Sequence, residues 1–314
     1  MTKNSTFMLF AGTSHPELAQ QIAGCLGVQL GKAKIETFPD GEIGVQILES
    51  VRGRDVFVLQ TIAQHPNSYL MELLIMVDAL KRASARSIVA VIPHYGYARQ
   101  DRRGKGREPI TAKLVADLLQ KTGVTRVLTM DLHTEQIQGF FDIPVDNLYA
   151  RPVLGEAIQK WQLDKLVVVT PDIGSIKLAR SFAEMLKVDL AIVDKRRINA
   201  HQVEMTALIG EVEKRDVLLV DDMCSTGGTL KTASWVCKKA GAGRICAAIT
   251  HGLFVGKAFE ESAIEKILVT NTIPLSEHVN RSHIEVVSIA DLFAQAIDSI
   301  VGAKSISSLF GQTL

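Results

Sequence analysis

The alternation of short apolar runs with longer helix-period segments constrains this 314-residue chain more than any other feature. FMLFAG at Phe7, DVFVLQT at Asp55, SIVAVIPHYG at Ser87 and RVLTMDLH at Arg126 are apolar, β-rich runs that close on turn residues, as strands do. Between them HPELAQQIAGCL, NSYLMELLIMVDALKRA and ITAKLVADLLQKTG carry the apolar spacing of helices. Strands joined through helices are linked by right-handed crossovers, and the product is a parallel sheet covered on both faces. Aromatic residues are only 5% of the chain, while Val, Ile, Leu and Ala fill the runs, the composition of strands buried on both sides.

The rhythm restarts after Tyr149. PVLGEAIQKW, GSIKLARSFAEML, TLKTASWVCKKAG and ADLFAQAIDSIVG read as helices; KLVVVTPD, DLAIVDK, DVLLVDD, RICAAITHG and KILVTN read as strands. The length accommodates two domains of ~150 residues. The expectation is therefore an α/β protein of two Rossmann-like domains, residues 1–150 and 151–314, each a mainly parallel sheet flanked by helices. Ligands of such sheets gather beyond the carboxyl ends of the strands, so the chemistry is sought there.

Thirty-five Lys and Arg against 34 Asp and Glu leave a formal charge of +1, without the cation excess that displaces counterions from a nucleic acid. With 47% hydrophobic and 22% charged residues the chain is a globular protein and not a disordered one. No uncharged apolar run reaches membrane-spanning length, and the run near the N-terminus is too short for a secretory signal. The four cysteines form no CxxC pair, which fits a reducing cytoplasm and argues against a zinc site.

VLLVDDMCSTGGTLKTA, residues 217–233, is the most informative segment. A buried strand ends in Asp221 and Asp222, and a turn through Ser225, Thr226, Gly227, Gly228 and Thr229 opens a helix. The first N–H groups of a helix have no intrahelical acceptor, so such a turn can hold a phosphate. The helix dipole adds only ~0.3–1 kcal/mol, and direct hydrogen bonds must supply the rest. Acids beside the turn repel phosphate but suit sugar hydroxyls, so the pair points to a ribose phosphate. A Walker motif is absent, and GLFVGKA misses both its spacing and its hydroxyl.

Four further segments carry polar chemistry. FPDGE places Phe38, Asp40 and Glu42 on a type I or II turn. YARQDRRGKGREPIT holds five cations between Arg99 and Arg107 on a glycine-containing, mobile loop suited to a polyphosphate. DLH at 131–133 and PDIG at 171–174 put His133 and Asp172 at strand ends, one in each half. VDKRRINAH ends a strand with three successive cations.

With these motifs the sequence resembles the ribose-phosphate pyrophosphokinases, also called phosphoribosyl pyrophosphate synthetases, from FAGTSHPELAQQIA to SISSLF. The resemblance implies two phosphoribosyltransferase-type domains. It implies transfer of the β,γ-diphosphate of ATP to O1 of ribose 5-phosphate, with release of AMP, in the service of nucleotide biosynthesis. By resemblance Phe38 stacks on adenine, Asp40 and Glu42 accept from its edge, and Arg99 and Gln100 bind ATP. These three residues of FPDGE serve the neighbouring subunit's site in similar proteins, and the resemblance implies a cytoplasmic homohexamer. It makes His133 and Asp172 ligands of Mg²⁺, an ion that prefers oxygen, so His133 is left open between direct and water-mediated contact. Lys195 and Arg197 fall on the catalytic flap. Arg52, Arg107, Ser305, Ser307 and Phe310 correspond to a regulatory phosphate and ADP site in allosteric members. Ser225 stands where many members carry aspartate; it removes a negative charge beside the phosphate and keeps a donor. A phosphoribosyltransferase would use the same turn but leave FPDGE, the Arg99 loop and the Lys195 flap unexplained, and a non-catalytic homologue would lack residues that are all in place here.

Overall fold

The computed structural model describes residues 7–196, 205–256 and 259–310. The chain runs first through β1 (Phe7–Ala11), α1 (Pro16–Leu26), β2 (Ala33–Thr37), β3 (Ile43–Ile47), β4 (Asp55–Leu59), α2 (Pro66–Arg82), β5 (Ser87–Ile92), α3 (Thr111–Thr122), β6 (Arg126–Met130) and β7 (Val145–Leu148). Five of these strands form an all-parallel sheet in the order β1-β4-β5-β6-β7. β2 and β3 form a separate antiparallel hairpin, Ala33 opposite Ile47 and Thr37 opposite Ile43.

Local chemistry explains the helices. Pro16 opens α1 with its preset φ, and the His15 ring accepts from the Leu18 N–H at 3.3 Å, satisfying one orphan donor. α2 buries Leu73, Met76, Val77 and Leu80, a stripe at i, i+3, i+4 and i+7. Each such side chain contributes about 1.5–3 kcal/mol on leaving water, and the stripe holds α2 on the sheet.

The chain continues through α4 (Arg151–Gln159), β8 (Val167–Thr170), α5 (Ile176–Leu186), β9 (Asp189–Arg196), β10 (Met205–Ile209), β11 (Val217–Cys224), α6 (Gly228–Lys239), β12 (Ile245–Gly252), β13 (Lys266–Thr270) and β14 (Ile284–Val287), then closes with α7 (Ala290–Val301). A second sheet runs β10-β9-β8-β11-β12-β13-β14, parallel except for β10 against β9. All eight residues of β12 are buried, as a central strand covered on both faces requires.

Two compact units result: residues 1–149 with 272–274 and 288–314, and residues 150–271 with 275–287. The sequence reading put all of 151–314 in one C-terminal domain, whereas the structure packs α7 against α1 of the first unit. α7 buries seven residues between Ala290 and Ser299, so it needs cover on more than one side. The strands β2, β3, β7, β10 and β14 lie outside the expected set. They are four or five residues long, and β2 and β14 are only partly buried, so none presents a continuous apolar run.

The units share a construction. In each, a strand and a helix lead through a hairpin to a second strand–helix pair: β1-α1-β2-β3-β4-α2 and β8-α5-β9-β10-β11-α6. Each also carries the same clamp where two neighbouring strands begin. Asp55 at the start of β4 receives the Arg86 guanidinium and, at 2.6 Å, the Ser87 hydroxyl. Asp216, just before β11, receives Arg244 through its backbone N–H and its guanidinium at 2.6–3.0 Å, and the Asp164 N–H at 2.8 Å.

Candidate active site

In the second unit β9, β8 and β11 are adjacent and parallel, so the segments leaving their carboxyl ends come side by side. β11 is buried from Val217 to Val220 and then emerges, leaving Asp221 and Asp222 half-buried. Oδ1 of Asp221 accepts from the Ser175 hydroxyl at 2.7 Å and from the Asp222 N–H at 3.0 Å. Lost hydration, followed by the charge of Asp222, pushes the Asp221 carboxyl up to about 8. Asp172, just past β8, accepts the Ser175 N–H on Oδ1 at 3.2 Å, and its carbonyl accepts the Thr170 hydroxyl at 2.6 Å.

The turn that follows is built to open a helix. Gly227 sits at φ 75°, a left-handed conformation that costs other residues roughly 1–2 kcal/mol. Its carbonyl accepts the Lys231 N–H at 2.8 Å, the bond that starts α6, and no side chain caps the end. The first N–H groups of α6 therefore have no intrahelical acceptor. The far side of the turn is braced: Cys224 O accepts from Leu253 N and Phe254 N at 2.9 and 3.2 Å, and Ser225 O accepts from Val255 N at 2.8 Å. Ser225 and Thr229 are half-buried, Gly227 is buried, and Thr226 and Gly228 are exposed. Cys224 is buried, and burial first, then Asp221, pushes its thiol up to about 12, so it remains a neutral packing group.

Lys195 lies in β9, paired with Thr206 of β10; Arg197 lies outside the described residues.

The first unit carries the other sequence-derived residues. FPDGE forms the tip of the β2–β3 hairpin, where Phe38 O accepts from Gly41 N at 2.9 Å and Phe38 N donates to Glu42 O at 2.8 Å. Asp40 lacks the positive φ that a type II turn requires, so the turn is of type I, with Gly41 at φ 92° completing it. Asp40 Oδ1 accepts the Glu42 N–H at 3.1 Å, and the Phe38 ring, 44% exposed, is open for stacking. Arg99 and Gln100 follow β5 and are exposed; Gln100 is anchored to the start of α3 by Ala112 N at 3.1 Å and the Thr111 hydroxyl at 2.5 Å. The loop expected to be mobile contains a turn in which Glu108 accepts from Gly104 N and Lys105 N, both at 2.8 Å. Thr134 donates to Asp101 at 2.9 Å, which joins that loop to the turn bearing His133, itself exposed. Arg52 and Arg107 are exposed in turns, Ser305 and Ser307 are exposed after α7, and Phe310 ends the short helical turn Ser307–Phe310.

Two family models match the chain: the N-terminal domain of ribose phosphate pyrophosphokinase over residues 7–123, and the phosphoribosyl synthetase-associated domain over 198–311. The ribose-phosphate pyrophosphokinase of Wolinella succinogenes is 51% identical over 307 residues, 97% of this chain and 99% of that one. The chain belongs to the ribose-phosphate pyrophosphokinase family. The Clostridium perfringens enzyme of the same name is 50% identical over 96% of this chain and 97% of its own. The solved phosphoribosylpyrophosphate synthetase from Mycobacterium smegmatis superposes with a TM-score of 0.91 at 42% identity, covering 95% of this chain and all of that one. The fold is accordingly of the phosphoribosyltransferase type in both units.

Ribose-phosphate pyrophosphokinases catalyse a phosphoryl-type transfer that generally needs a divalent metal ion. The acids at the ends of β8 and β11 suit one: they offer oxygen, and a cation beside Asp221 would favour the ionised form that burial and the charge of Asp222 hold back. No group of three or more His, Cys, Asp and Glu forms a ready cage among the described residues. No described helix is long and apolar enough to cross a membrane. Ser175, which touches both Asp172 and Asp221, carries no signal of a site in the sequence, because it falls inside the run GSIKLARSFAEML that reads as a helix.

Proposed function

We propose that this chain transfers the diphosphoryl group of ATP to O1 of ribose 5-phosphate, giving 5-phosphoribosyl 1-diphosphate and AMP. The observation that carries the reading is the β11–α6 turn: two acids, three hydroxyl residues and the open N-terminus of α6 gathered at one strand end. In this reading Ser225, Thr226, Gly227, Gly228 and Thr229 hold the 5-phosphate, and Asp221 and Asp222 take the ribose hydroxyls. A phosphate on open N–H groups and a sugar on carboxylates fix O1 relative to the β9 end, so the attack is set up by positioning. Lys195 and Arg197 stabilise charge that builds on the transferring oxygens. Phe38, Asp40, Glu42, Arg99 and Gln100 bind ATP. Asp172 and His133 would hold Mg²⁺, which supplies neutralisation of the diphosphate oxygens. The reading extends to a cytoplasmic homohexamer with Arg52, Arg107, Ser305, Ser307 and Phe310 at a regulatory anion site.

The test is an incubation of the purified full chain with ATP, Mg²⁺ and ribose 5-phosphate in phosphate buffer. AMP and phosphoribosyl pyrophosphate are expected in equal amounts. Folded protein that makes neither overturns the reading.

A further inference from the structure

Ser175 occupies the position just before α5, where a serine side chain ordinarily accepts from the N–H two or three residues on. It makes no such bond. Its hydroxyl is instead donated across 46 residues of sequence to Oδ1 of Asp221 at 2.7 Å, while its own N–H goes to Oδ1 of Asp172 at 3.2 Å. One residue thus bridges an acid at the end of β8 and an acid at the end of β11. Oδ1 of Asp221 takes two donors, the Ser175 hydroxyl and the Asp222 N–H. Two donors on one oxygen restrict the rotation of the carboxyl group.

We propose that the Ser175 side chain is a positioning group of the ribose 5-phosphate site, holding Asp221 in the orientation that the sugar meets. This rests on the assignment of the β11–α6 turn to ribose 5-phosphate. Without the Ser175 hydroxyl the Asp221 carboxyl loses the tether that ties it to the segment after β8 and can rotate. Setting its orientation beforehand removes that reorganisation from the binding step. Asp172 is held by the backbone N–H of Ser175, which every variant keeps, whereas Asp221 is held by the hydroxyl, so loss of the hydroxyl weakens binding of ribose 5-phosphate and leaves the Asp172 contact in place.

The experiment compares Ser175→Ala, Ser175→Gly and Ser175→Thr with the wild-type chain, by AMP release and by calorimetric titration of ribose 5-phosphate. Both donor deletions are expected to raise the KM and Kd for ribose 5-phosphate about tenfold, the scale seen when a group orienting a site residue is removed. The KM for ATP should stay within about twofold, as it does when a contact specific to one substrate is lost. Glycine is well tolerated at a helix start, so Ser175→Gly keeps the test alive if Ser175→Ala misfolds. Ser175→Thr, which retains the hydroxyl, should recover most of the affinity. Donor deletions that bind ribose 5-phosphate normally, a parallel rise in both KM values, or a threonine variant as impaired as alanine each overturn the proposal. If those results accompany normal wild-type turnover, the serine's role alone fails. A wild-type chain that neither binds ribose 5-phosphate nor releases AMP overturns the functional reading and the serine's role with it.

Discussion

The turn after β4 and the turn after β11 occupy the same place in the two units, yet they spend their polar groups differently. After β4 the groups satisfy one another. Gln60 accepts from Ser14 N at 3.2 Å and donates to Tyr69 O and Glu72 at 3.1 and 2.8 Å. Glu72 also accepts from the backbone and hydroxyl of Thr13 at 2.6 and 2.7 Å, and Ser14 Oγ accepts from Thr61 N at 2.8 Å. After β11 the turn instead brings acids together, raises the carboxyl of Asp221 and presents the open end of α6. At the opposite ends of the same strands the units agree, with Asp55–Arg86 in one and Asp216–Arg244 in the other. One frame thus carries either a closed polar knot or an acid-flanked, uncapped helix start, and the choice lies in the few residues that follow the strand.

The hairpins that precede these turns allow the sharpest test. If the β9–β10 hairpin carries the chemistry and the β2–β3 hairpin holds a base, their variants must fail differently. Lys195→Ala should lower kcat by about 10³ and leave the Kd for ribose 5-phosphate largely intact, since the phosphate turn is separate from the flap. Phe38→Ala should raise the KM for ATP with a smaller effect on kcat. Near-normal turnover in Lys195→Ala removes the catalytic assignment, and a Phe38→Ala defect confined to ribose 5-phosphate removes the distinction between the hairpins.

A smaller effect separates the two turns. Glu72→Ala strips acceptors from the Thr13 N–H, the Thr13 hydroxyl and the Gln60 amide, all tied into a largely buried knot. Leaving such donors unmatched costs about 1–3 kcal/mol each, less where water can enter. The first unit should therefore unfold at lower temperature, with ribose 5-phosphate affinity unchanged in protein that is still folded. A variant that kept its melting temperature and lost that affinity would show the β4 turn to be a ligand site as well, and the contrast would collapse.

The sequence makes some of this legible and hides the rest for physical reasons. VLLV of β11 and ICAAIT of β12 announce buried strands because both faces are covered, and the acids with TGGT announce a strand end that turns directly into a helix start. AKIET and IGVQI of the first hairpin are half-exposed and only five residues long, so the strands hide while the FPDGE turn between them is plain. α7 is legible as a helix, but an apolar helix does not name the surface that covers it, and its place beside α1 emerges only in three dimensions. The knot at Thr13, Gln60 and Glu72 is invisible for the same reason: its members are polar residues 12 to 59 positions apart.

The smallest effect expected is also the most direct measure of how open the β11 site is. The folded chain holds the Asp221 proton up to about 8, against ~4 for an unfolded aspartate. Between these values the folded state binds more protons than the unfolded one, so stability falls as pH rises through that window. The contribution is intact below about pH 4 and lost by about pH 8. A divalent cation at the acids favours the ionised form, so Mg²⁺ should raise the melting temperature by about 2–4 °C at pH 8 and by less at pH 5. Differential scanning calorimetry of the wild-type chain and Asp221→Asn, with Mg²⁺ or with a chelator, reads both effects. Asp221→Asn should flatten the slope between pH 5 and 8, because an amide neither titrates nor repels Asp222. A slope that survives in Asp221→Asn originates elsewhere in the molecule. The open turn would then store no electrostatic strain, and the difference between the two units would reduce to hydrogen bonding alone.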